Sequence, residues 1–176
     1  VAPLVTEDFA NTAATGTANY PAGGTGTSSV ALATFTIRFD APTGNYVVST
    51  AGRSQTFRPA DLVASLSTGE ANIYERTTGS TTDSLSVSKN SVASGTLAAP
   101  QYRYVGGGVW QRTVQSTSGI SGTADAYAYG VTTPVAAVPR TGSADYAVQL
   151  RGVVAYGDGL LASRGSGTLS ANFATG

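Results

Sequence analysis

From Ala144 to Val154 the side chains alternate. Ala144, Tyr146, Val148, Leu150, Gly152 and Val154 fall on one face, and Asp145, Gln149 and Arg151 on the other. A period of two marks a half-buried β-strand, because successive side chains of an extended chain point to opposite sides. Pro139, Gly142 and Ser143 punctuate its start, and Gly157-Asp158-Gly159 breaks it. After Arg164-Gly165-Ser166-Gly167 a second alternation puts Leu169, Ala171 and Phe173 on one face. The spacing predicts a long hairpin with strands over 143–155 and 166–173.

The same period recurs upstream. Val30 to Phe39 alternates, with Ala31, Ala33, Phe35, Ile37 and Phe39 on one face. Asp40 to Asn45 carries turn chemistry, with Pro42 presetting φ and Gly44 or Asn45 able to take positive φ. Tyr46 to Ser49 returns, Ala51-Gly52 turns again, and Ser54 to Phe57 is a short strand stopped by Pro59. Pro59 to Val63 suits one helical turn, since proline is tolerated at the first helical position. Asn72–Thr77 and Ser84–Lys89 read as strands around Gly79-Ser80. Gln101–Val105 and Val109–Gln115 read as strands around Gly106-Gly107-Gly108, and Thr123 to Val131 is a further strand. Some ten short strands at a spacing of about 8–12 residues predict an all-β sandwich or barrel. Nothing sustains a long helix.

This pattern divides the chain into four parts. Residues 1–26 read as an N-terminal arm with little regular structure, pinned by Phe9 and Tyr20. Residues 27–131 read as a β domain, 132–139 as a proline-bearing linker, and 140–176 as the hairpin.

Composition removes whole classes of function. Charge is low and balanced, ten cations against ten anions, and Lys89 is the only lysine. The arginines are scattered singly, so no basic patch for nucleic acid is expected. No apolar run approaches the ~20 residues of a membrane-spanning helix. The chain has no His, Cys or Met. Serine–histidine and cysteine–histidine triads cannot form, nor can thiolate or imidazole metal sites, and no cofactor is expected. Val1 is not a translated start, and residues beyond Gly176 are expected, because Ser170 to Gly176 reads as a strand entering a turn.

Carboxylate pairs remain. Glu70 with Glu75, or Asp125 with Asp145, would suit glycoside hydrolysis if brought together. Ten acidic residues yield close pairs by chance, and the plainer reading is solvated turn positions. The glycine runs 106–108 and 165–167 precede strand patterns, whereas a phosphate cradle needs a helix N-terminus behind it. They read as hairpin turns. The aromatics are the remaining candidates. Tyr102 and Tyr104, and Tyr127 and Tyr129, sit two apart, so each pair shares a strand face, with Trp110 between them in sequence. Such a stripe can stack sugar rings, anchor a protein or ligate haem iron through phenolate. More often it is the packed face of a sheet.

An ordered set of stretches resembles one family. Thr36-Ile37-Arg38-Phe39-Asp40-Ala41-Pro42-Thr43-Gly44-Asn45-Tyr46, Gly52-Arg53-Ser54-Gln55-Thr56-Phe57 and Pro59-Ala60-Asp61 look like the first half of transferrin-binding-protein-like surface lipoproteins. Tyr104-Val105, Trp110-Gln111-Arg112, Ala128-Tyr129-Gly130 and Pro139 to Ala144 continue the pattern. Tyr156 to Gly159 and Gly165 to Phe173 close it. The resemblance implies a handle-like antiparallel β domain over 27–131, followed by an eight-stranded antiparallel barrel of which 140–176 is the first hairpin, the barrel being incomplete in this chain. It implies a Gram-negative cell surface or extracellular location, no enzyme activity and no transferable site residue. The lipid-bearing Cys of such proteins would lie upstream of Val1.

Two functions are therefore expected in competition. One is a non-enzymatic surface binding protein that captures a protein or a small ligand, iron- or haem-related ones included, for an outer-membrane transporter. The other is a structural or accessory subunit of an extracellular assembly, built by β-strand pairing between chains. Partners would be an outer-membrane or other surface protein, or further copies of the chain.

Overall fold

The computed structural model describes residues 6–89, 105–131, 133–156 and 159–175. Within them the chain is all-β. The strands are β1 (Glu7–Asp8), β2 (Ala10–Pro21), β3 (Thr27–Ala33), β4 (Phe35–Asp40), β5 (Asn45–Thr50), β6 (Arg53–Phe57), β7 (Ala71–Thr78), β8 (Thr81–Ser88), β9 (Val105–Ser116), β10 (Gly119–Gly130), β11 (Ser143–Tyr156) and β12 (Gly159–Asn172). Single 3₁₀ turns occupy Pro59–Asp61 and Val135–Ala137.

All pairing is antiparallel. A four-stranded sheet runs β1-β4-β5-β6, a six-stranded sheet runs β3-β2-β10-β9-β8-β7, and β11-β12 stand as a two-stranded sheet. None of these sheets closes into a barrel. The run from Val30 to Phe39 is not one strand. The chain leaves the larger sheet after Ala33 and enters the smaller one at Phe35, so Thr34 is the corner that joins the two layers. The β4–β5 turn follows the sequence reading: the Gly44 N–H donates to the Asp40 carbonyl at 2.7 Å, with Gly44 at φ +69°.

The two large sheets pack face to face. Phe35, Ile37, Val48 and Phe57 of the smaller sheet meet Tyr74, Leu85, Val87, Trp110 and Tyr127 of the larger. Burying an apolar side chain of this size contributes about 1.5–3 kcal/mol, so this layer is the main apolar source of stability. Alternation explains the segregation. On β8, Asp83, Leu85 and Val87 point inward and are buried, while Ser84, Ser86 and Ser88 are only partly buried.

Two expectations about backbone are corrected. Residues 10–21, read as part of an irregular arm, form β2, which pairs with β10 over its whole length and lies second from the edge of the larger sheet. Runs of Ala and Thr hid this strand, because small side chains give little alternation. Gly106-Gly107-Gly108 is no turn, for it lies inside β9; Gly165-Ser166-Gly167 likewise lies inside β12. Gly108 sits directly opposite Tyr127. A Cβ there would stand 1.8 Å from the Ser86 carbonyl oxygen and 2.8 Å from the Tyr127 hydroxyl. The missing side chain lets the Tyr127 hydroxyl donate to that carbonyl at 2.6 Å. A large ring over a cross-strand glycine is a recurrent way to fill a sheet.

The hairpin lies on the other side of the larger sheet. Val153 is buried there against Ala124 and Ala126, with Val109 and Leu160 beside them. The approach is close at Gly16, where a Cβ would come within 2.6 Å of Val153 and 2.8 Å of Leu160.

Candidate functional site

Three features combine chemistry with geometry: a charged cluster between the large sheets, the exposed side of the hairpin, and the cleft beneath it. The cluster grows from inward positions of five strands. Asp83 on β8 accepts from the Trp110 indole Nε1 at 2.9 Å and from Gln55 Nε2 at 2.9 Å. Arg112 grips the same carboxylate with two bonds, from Nε at 2.8 Å and Nη2 at 3.0 Å. Beside it, Asp125 on β10 accepts from Arg53 and from Thr15, and Arg53 also reaches Thr123. The Arg53 guanidinium lies over the Trp110 ring, 4.2 Å from its centroid. Both carboxylates are buried, and among the described residues no buried side-chain polar atom lacks a partner.

Burial pushes the Asp125 carboxyl above its ordinary value, with the Thr15 and Arg53 contacts opposing, and burial lowers Arg53. The arrangement is fully satisfied and closed on itself. It joins Arg53 and Gln55 of β6 in one sheet to β2, β8, β9 and β10 in the other, and so fixes how the two layers register. Asp125, a candidate whose plainer reading is a solvated turn position, is instead a buried strand residue, and so is Asp83, which the sequence reading does not single out. Asp125 and Asp145 have separate surroundings. Asp145 is exposed on the hairpin, accepting from Ser170 Oγ at 2.5 Å. Glu70 is engaged by Arg164 across 3.7 Å.

Among the candidate aromatics, Trp110 and Tyr127 are buried in the intersheet core, Tyr127 stacked on Phe35 with centroids 4.5 Å apart and planes 14° apart. Tyr129 is partly buried, 4.7 Å from Phe9, and lines one end of the cleft described below. Burial raises the hydroxyl pKa of Tyr127 and Tyr129. Tyr102 and Tyr104 lie outside the described residues. Among the described residues, Trp110 and Tyr127 are therefore packing residues.

The exposed apolar residues gather on the hairpin instead. Cross-strand partners share a face, and the pairs Tyr146–Leu169, Leu150–Gly165 and Val154–Leu161 all turn away from the larger sheet. Their apolar members are exposed, Leu150 by 62%, and so is Tyr156 opposite Gly159, by 77%. No position on this outward face carries a charge. Both strands run 14 residues, and among the described residues neither pairs with any strand but the other. Alternation located this apolar face correctly, but its direction is the reverse of the usual one: it faces solvent, and the Gln149–Arg151 side faces the protein.

Between hairpin and sheet runs a cleft of about 710 Å³. Its floor is small and apolar, including Ala14, Ala126, Ala128 and Gly107, with Leu32 on one flank and Gln149 and Arg151 above. No three acidic side chains converge on one point among the described residues. No described helix is long and apolar enough to cross a membrane.

Fold and site together define an all-β sandwich with an appended, outward-apolar hairpin. Comparison with protein-family models, with curated proteins and with solved structures found no match.

Proposed function

We propose that this chain is a non-enzymatic bacterial surface protein that works by associating with a second copy of itself through the 143–172 hairpin. The observation that carries the reading is the hairpin's uncharged, exposed outer face, on two strands that among the described residues join no strand but each other. An unpaired strand edge presents N–H and C=O groups to which another chain can add a strand, and the charges of this hairpin, Asp145, Arg151 and Arg164, stand on its sheet-facing side. Strands of 14 residues span about 48 Å, and two of them make a face roughly 10 Å wide. That is on the order of 500 Å² before side-chain relief is counted, against about 800 Å² per partner in a standard interface. With no charge on the outward face, a second copy meets no like-charge repulsion there.

A capture role is the second reading, favoured by the cleft under the hairpin. There the chain would hold a protein or small ligand, iron- or haem-related ones included, for an outer-membrane transporter, as its resemblance to transferrin-binding-protein-like proteins implies. Sedimentation velocity across a concentration series separates the two. Self-association predicts a dimer or larger species that Leu150→Lys with Leu169→Lys converts to monomer, with the circular dichroism of a β protein retained. A chain that stays monomeric throughout overturns it and leaves capture as the better account.

A further inference from the structure

Arg151 and Arg164 sit directly opposite each other on the face of the hairpin that looks toward the sheet. Like charges in that position repel. Arg164 is offset by Glu70 at 3.7 Å, a contact in which both side chains are largely exposed and which therefore contributes little. Among the described residues no carboxylate lies within ion-pair distance of Arg151. Its aliphatic stem rests on β9, with Cδ 3.5 Å from where a Gly107 Cβ would be.

This cation stands where two cavities meet. The 710 Å³ cleft and a second one of about 290 Å³, which contains Arg164 and Glu70, share Gln149 and Arg151. On one side lies an apolar floor of Ala14, Ala126 and Ala128 with Leu32 beside it. On the other lie two guanidinium groups against a single carboxylate. A mostly apolar trough with a few convergent polar groups at one end is the usual form of a small-molecule site. The surplus positive charge selects the sign of the head group, and the mainly apolar lining of the trough selects its tail.

We propose that the cleft binds an aliphatic chain ending in a carboxylate, the tail lying along the alanine floor and the head accepting hydrogen bonds from Arg151 and the Gln149 amide N–H. An unpaired guanidinium bonds a carboxylate through two parallel N–H donors, which fixes the orientation of the molecule as well as its charge. Alanine and glycine on the floor are needed by this arrangement, since larger side chains would fill the space the tail takes.

Calorimetric titration of the whole chain with dodecanoate, dodecanol and acetate tests it, each probe kept below its aggregation concentration. The expected result is one saturable site for dodecanoate, at least about ten-fold weaker binding of dodecanol, and none of acetate. Arg151→Gln should bring dodecanoate down to the level of dodecanol while leaving dodecanol unchanged. Ala128→Leu, at an exposed position of the floor, should weaken both, with unchanged circular dichroism. No saturable binding, equal affinity for the acid and the alcohol, or indifference of dodecanoate to either substitution would overturn the proposal.

Discussion

The indole N–H of Trp110 donates to the Asp83 Oδ1 at 2.9 Å, and Arg112, two residues further along β9, donates to both oxygens of that carboxylate. A carboxylate this deeply buried is tolerated because every lone pair it offers is used. Removing Arg112 leaves the charge buried and unpaired, so Arg112→Ala should cost about 3–5 kcal/mol. Replacing both partners, Asp83→Leu with Arg112→Met, should cost clearly less than the sum of the single changes. Urea unfolding of the four proteins of this cycle measures both numbers.

The glycines of β9 give a sharper structural test. Gly108→Ala forces a methyl group into the Ser86 carbonyl and displaces Tyr127, so a loss of about 1–3 kcal/mol is expected. Gly122→Ala on the adjacent strand meets only an ordinary 3.7 Å contact and should stay within about 0.5 kcal/mol of the parent. Thermal melts of the two variants side by side would show the difference.

Burial holds the hydroxyls of Tyr46, Tyr74, Tyr127 and Tyr129 above their ordinary pKa. A tyrosine raised on folding contributes stability that is complete below the unfolded value of about 10 and is lost as pH rises through the folded value. Stability should therefore fall on the alkaline side. Tyr127→Phe should lose the bond to Ser86 but show a shallower alkaline decline. Urea midpoints measured across that pH range report the slope.

The legible part of the molecule was the part with strong alternation. The turns at Gly44, Gly52 and Gly79, the strands on either side of them, and β11 of the terminal hairpin follow from apolar period and turn chemistry, whereas β12 begins at Gly159, seven residues before the strand that the alternation marks. β2 was not legible, since Ala10 to Pro21 offers no large apolar residue but Tyr20 to reveal a face. The intersheet cluster did leave a signal. Asp83 shares parity with Leu85 and Val87, and Asp125 with Tyr127, so each acid stands at an apolar position of its strand. An acid at such a position is either a sheet-edge device or a buried, paired charge. Which arginine pairs with it depends on how the two sheets stack, and that is a tertiary fact absent from local sequence. The direction of the hairpin's apolar face is hidden for the same reason. Alternation defines two faces but does not say which one meets the sheet.

Hydrogen–deuterium exchange of the amides in 143–172, followed over a concentration series, tests strand association between chains most directly. The account predicts that amides of 143–172 not bonded between β11 and β12 gain protection as concentration rises, while the inner amides, paired within the hairpin, stay unchanged. Exchange of those unbonded amides that is identical at every concentration would contradict it.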